Sequence, residues 1–138
     1  MTQPTHPSSP PTAAVAWIIW FSIFAGLFIM TIIINGGVSF AKDSAEPSLW
    51  IILVPSAAAI ASLVVRFFVI PKLPDLPTKF PAMIIGLALA EGVGILALFV
   101  VGKSYPQTQL SLLAISVFCI LCHAPVYFAA GKPSTYLR

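Results

Sequence analysis

The stretch "AMIIGLALAEGVGILALFVVG", residues 82–102, decides the fold. It holds a single charge, Glu91, and shows no alternation of polar and apolar positions. A helix of about 20 apolar residues spans a bilayer, whereas a spanning strand needs about 10 residues of alternating polarity. The run therefore predicts a transmembrane helix. Three further runs meet the same criterion: "AVAWIIWFSIFAGLFIMTIII" (14–34), "LWIILVPSAAAIASLVVRFFVI" (49–70) and "QLSLLAISVFCILCHAPVYFAA" (109–130).

Composition agrees. Of the 138 residues, 59% are hydrophobic and 8% charged, against about 25% charged in soluble domains. One water-soluble core of this size cannot hide so much apolar surface. The expected fold is all-α, an integral membrane four-helix bundle with short loops occupying 14–130. A Pro/Ser/Thr-rich tail, 1–13, is expected to be disordered, and 131–138 forms a short polar tail. The first apolar run exceeds a signal-peptide core and has no cation before it, so it is expected to be retained.

Four spans place both termini on the side of the loop joining the second and third. That side carries Arg66, Lys72, Lys79, Lys132 and Arg138; the other carries Lys42 and Lys103. The Lys/Arg excess marks the cytoplasmic side, so both termini are expected there. The net charge of +3 follows from this bias and implies no nucleic-acid partner. In the loop "PKLPDLPTKFP" (71–81), Pro71, Pro74 and Pro77 recur with the period of polyproline II, predicting a stiff spacer. Pro81 is then expected in the first turn of the third helix. Trp17, Trp20, Phe67, Phe68 and Phe80 fall at one predicted interface, and Trp50 and Tyr105 at the other. Amphipathic rings anchor helices there.

Glu91 is the most informative residue. It lies near the middle of its span, where a charge costs about 2.5–3.5 kcal/mol on insertion scales. Such a carboxyl is expected to face the bundle interior, paired or protonatable. Gly86, Ala90 and Gly94 repeat every four residues and Ala97 extends the strip, a small-residue face suited to close helix contact. "PSAAAIAS", 55–62, offers a complementary surface on the second helix.

By helical rise, His123 lies about 5 Å and Arg66 about 9 Å to the cytoplasmic side of the midplane. Tyr127 shares the face of His123. Pro125 leaves the Leu121 carbonyl without its helical donor and predicts a kink. Glu91, His123, Tyr127 and Arg66 are thus the candidate proton- or ion-binding residues, with Ser62, Ser116 or water as bridges. The competing reading is a static polar lock that fixes helix packing.

"GLALAEGVGILALFV", 86–100, resembles the carboxylate-bearing helix of the proteolipid (c-type) subunits of rotary ATPases. The resemblance covers that one helix and implies that Glu91 is an ion-binding carboxylate, with Ala88, Ala90 and Gly94 allowing dense packing. No other helix carries that family's glycine repeat.

"FCILCHAP", 118–125, contains Cys119-x-x-Cys122-His123, the spacing of c-type haem attachment. Within a lipid-buried helix facing a reducing compartment, these residues read first as packing residues. No metal or cofactor is expected. The sequence also holds no phosphate-cradling glycine loop, no paired catalytic carboxylates and no serine–base constellation, so no enzyme is expected. The residues point to a small multi-pass membrane protein that binds or relays a proton or cation through a mid-membrane carboxylate. The alternative is a non-catalytic accessory or structural subunit. In either case its partners are the bilayer and other membrane subunits or copies of itself.

Overall fold

The computed structural model describes residues 13–129, apart from the side chains of Tyr127 and Ala129. The tails outside this range, including nearly all of the segment expected to be disordered, lie outside the described residues. Among the described residues all regular structure is helical. Four main helices form a bundle: α1 (Ala13–Asn35), α2 (Leu49–Val64), α3 (Leu76–Leu96) and α4 (Pro106–Cys122), followed by the single turn α5 (Val126–Ala129). The first three, with the continuations described below, are long and apolar enough to cross a membrane. α4 is a shorter apolar helix, about 25 Å at 1.5 Å per residue.

α1 ends where Gly36 and Gly37 adopt φ of 71° and 113°. Their amides return to the carbonyls of Ile32 (2.8 Å) and Thr31 (3.4 Å), closing the last turn. Only Ala16, Leu27 and Thr31 of α1 are buried, a single stripe at helical spacing. Ile18, Phe21, Ile29, Ile32 and Ile33 point outward, a surface made for hydrocarbon.

α2 runs on through a wide π turn (Val65–Val69) and a 3-10 turn (Ile70–Lys72). Leu73 becomes extended because Pro74 disfavours helical backbone in the residue before it. The polyproline spacer expected over 71–81 does not form. Pro71 sits in the 3-10 turn, and Pro77 in the first turn of α3. Asp75 caps α3 by accepting from the Thr78 amide (3.0 Å) and hydroxyl (2.5 Å). The cap starts the helix six residues earlier than residue 82, and Pro81 lies inside it.

α3 continues through a π turn (Ala97–Val101) to a 3-10 turn (Gly102–Ser104). It is the central element, packed against α1, α2 and α4. Its buried stripe comprises Met83, Gly86, Leu87, Ala90, Val93 and Gly94, continued by Ala97, Leu98 and Val101. Leu112, Leu113, Cys119 and Ile120 of α4 complete the core.

The fourth predicted span is not one helix. α4 stops at Cys122 because Pro125 cannot donate and Ala124, preceding it, leaves the helical region. The Leu121 carbonyl, expected to be open, accepts from the Ala124 amide at 3.0 Å. The chain ends its helix there and restarts as α5, where Phe128 packs edge-on against Phe80 of α3 with ring centroids 6.2 Å apart.

Candidate functional site

α4 ends inside the bundle; the His123 amide closes on the carbonyls of Cys119 (3.2 Å) and Ile120 (3.0 Å), and three side chains add to the carbonyls of this last turn. His123, wholly buried, caps the helix; its Nδ1 lies 2.9 Å from the Cys119 carbonyl. Trp20 of α1 donates Nε1–H to the Ile120 carbonyl at 2.7 Å. Arg66 reaches from the π turn after α2 and donates Nε–H to the Cys122 carbonyl at 2.5 Å. A cation at a helix C-terminus also complements the helix dipole. Arg66 and His123 are therefore brought to one place, and Trp20, expected only as an anchor, joins them. The general signal was the helix end that Pro125 imposes: carbonyls of a last turn set in lipid gain from side-chain donors.

The other face of His123 meets α3. A Cβ placed on Gly86 would lie 2.1 Å from Nε2 and 2.7 Å from Cδ2, so the imidazole occupies the notch that glycine leaves. Nε2 is buried and makes no hydrogen bond among the described residues. Gly86, Ala90, Gly94 and Ala97 are all buried, and their strip contacts three helices. The carbonyl of Gly86 accepts from Ser62 Oγ of α2 (2.8 Å), and that of Ala90 from Ser116 Oγ of α4 (2.7 Å). At Gly94, a Cβ would lie 2.5 Å from Leu27 of α1 and 2.9 Å from Ser116 Oγ. Small residues thus let backbone carbonyls come within reach of hydroxyls on the neighbouring helices.

Glu91 stands apart from this cluster. Five residues beyond Gly86, it lies about 7.5 Å along α3 and roughly 140° round it, so it does not share the face that meets His123. It is half-buried at the border of the core stripe, and no hydrogen bond or ion pair involves it among the described residues. Ser62 and Ser116, the bridges considered between Glu91 and His123, instead donate to α3 carbonyls. The Tyr127 side chain, fourth candidate in the ladder, lies outside the described residues.

The Cys119-x-x-Cys122-His123 spacing does not make a haem pocket. Cys119 is buried within 4.0 Å of the Ala59 carbonyl, and Nε2 of His123 faces the α3 backbone with no room for an iron atom. Among the described residues no three His, Cys, Asp or Glu side chains converge as a metal site.

At the opposite end of the bundle, the α1–α2 loop supplies a cap the sequence reading missed. α4 begins after Tyr105, which gives no side-chain cap. Asp43 accepts from the Gln107 amide (2.7 Å) and from the Thr108 amide (3.2 Å) and hydroxyl (2.6 Å). Partial desolvation pushes the Asp43 carboxyl up, but the Thr108 hydroxyl and the two amides together hold it below its ordinary value. The sequence signal was a helix opening "YPQT" with no cap of its own.

No protein-family model, curated protein or solved structure matches the chain. Fold and side-chain chemistry define a class only: a helical membrane bundle in which Trp20, Ser62, Arg66 and Ser116 each donate to a backbone carbonyl of another helix.

Proposed function

We propose that this chain is a non-catalytic, multi-pass accessory subunit of the membrane, with both termini on the cytoplasmic side and a polar framework that locks four helices in one arrangement. The carrying observation is where the donors go. Trp20 ties α1 to α4, Arg66 ties the end of α2 to α4, Ser62 ties α2 to α3 and Ser116 ties α4 to α3. Each bond ends on a backbone carbonyl, which fixes helix position and passes no proton onward. The cation distribution supports the orientation, because the Arg66 end is the one rich in Lys and Arg.

A second reading retains Glu91 as a proton- or cation-binding carboxylate within an oligomer or larger complex. What favours it is a half-buried carboxyl near mid-span with no partner among the described residues. One experiment separates the two. Reconstituted protein is treated with a hydrophobic carbodiimide across a pH series, and Glu91→Gln is tested for proton flux and for retention of co-purifying subunits. The accessory role predicts no flux in the wild type and altered subunit retention in Glu91→Gln. Flux that disappears in Glu91→Gln while assembly persists would replace it with the ion-binding role.

A further inference from the structure

Where α1 ends and α4 begins, a cavity of about 310 Å³ is lined by Asn35, Gly37, Ser39, Ala41, Lys103, Pro106 and Gln109. Two of these carry a buried amide nitrogen with an unmet demand. Gln109 is 5% exposed, and its Nε2, like Nδ2 of Asn35, is buried without an acceptor among the described residues. A buried donor left unmade costs about 1–3 kcal/mol, so two at one cavity are unusual. Lys103 adds an ammonium at the rim. Ser39 adds a hydroxyl whose oxygen accepts from the Ala41 amide at 3.4 Å while its proton remains free to donate. No carboxylate lines the cavity; the nearby Asp43 is held on the amides of Gln107 and Thr108.

The unmet side-chain groups at this cavity are donors, namely the two amide nitrogens, the Ser39 hydroxyl and the Lys103 ammonium, and no carboxylate opposes them. The ligand that answers such a set accepts hydrogen bonds, donates none and carries negative charge. We propose that this cavity is an oxyanion site for a phosphate group, held by Gln109, Asn35 and Lys103, at the face of the membrane opposite Arg66. At about 30 Å³ per water, the space equals roughly ten waters, enough for a phosphate with part of its hydration or for a lipid phosphodiester entering from the interface. The rim ammonium of Lys103, beyond the last turn of α3, can meet either source.

The test uses the full chain in neutral maltoside micelles, with unfolding followed by tryptophan fluorescence. Inorganic phosphate is compared with chloride at matched ionic strength, and micelles doped with phosphatidylglycerol are compared with a galactosyl diacylglycerol that lacks phosphate. Stabilisation by inorganic phosphate identifies a free anion; stabilisation by phosphatidylglycerol alone identifies a lipid headgroup. Gln109→Leu should abolish the shift while leaving ligand-free stability intact or raised, because the amide has no internal partner to lose. Exposed Lys103→Gln should weaken the apparent affinity on the order of tenfold, the effect of losing one charge-assisted contact. Absence of any phosphate-dependent shift in the wild type would overturn the proposal and leave water as the occupant. A full shift retained in both variants would overturn it equally.

Discussion

Adding one methyl group at Gly86 tests the packing most directly. The new carbon would stand 2.1 Å from Nε2, 2.7 Å from Cδ2 and 3.1 Å from Cε1 of His123, so the imidazole must move. It cannot swing freely, because Nδ1 is engaged with the Cys119 carbonyl at 2.9 Å and the ring is wholly buried. Overpacking costs about 1–3 kcal/mol, and losing the Nδ1 bond adds about 0.5–1.5 kcal/mol. Against this, alanine is favoured over glycine inside a helix by about 0.8–1.0 kcal/mol. The balance is a destabilisation of roughly 1–3 kcal/mol. Reversible unfolding in mixed micelles, followed by tryptophan fluorescence, measures it. The same substitution in a His123→Ala background, where the notch is empty, should be neutral or stabilising, giving a coupling on the order of 2 kcal/mol. A neutral Gly86→Ala in the wild type, or an equal loss in both backgrounds, would refute the notch.

The serines give a graded comparison. Ser62→Ala and Ser116→Ala each remove an interhelical bond to a carbonyl already inside a helix, so each should cost about 0.6 kcal/mol, the average for polar contacts within membranes, in the same unfolding assay. Asp43 yields a pH prediction. Its carboxyl is held below its ordinary value by the Thr108 hydroxyl and the Gln107 and Thr108 amides at the start of α4, so the stability it adds is present above the unfolded value and lost as pH falls through the folded one. The protection factors of the Gln107 and Thr108 amides, exchange relative to the intrinsic rate at each pH, should therefore fall on acidification in the wild type. In Asp43→Ala, which removes the acceptor, protection should be low throughout and lack this step.

The bundle was legible in the sequence because lipid imposes length and polarity constraints that an apolar run displays openly. The strip of small residues on α3 was legible for a similar reason, since a four-residue repeat of glycine and alanine has few other uses. Helix ends were less readable. Asp75 begins α3 earlier than hydropathy suggests, because an exposed first turn can be polar and still helical. The proline period in 71–81 looked like polyproline, yet prolines are equally at home in first turns and tight 3-10 turns. Asp43 and Trp20 were missed as bond makers because each serves an element distant in the chain, 64 and 100 residues away. Sequence periodicity carries no information about such pairs.

Pro125 explains why a relay from Glu91 to the Arg66 end finds no support in this arrangement. A proton path needs groups that accept a proton on one side and release one on the other, linked in series. The proline ends α4 at Cys122, and Trp20 and Arg66 direct their donors to carbonyls of that last turn. His123 directs one ring nitrogen to Cys119 and lays the other against Gly86. Glu91, on a different face of α3, reaches none of them. The same break therefore accounts for two features at once: it gathers polar side chains at one end of the bundle, and it commits them to the backbone. Among the described residues no group completes the chemistry of Glu91, which is why flux and subunit retention in Glu91→Gln have to be measured together.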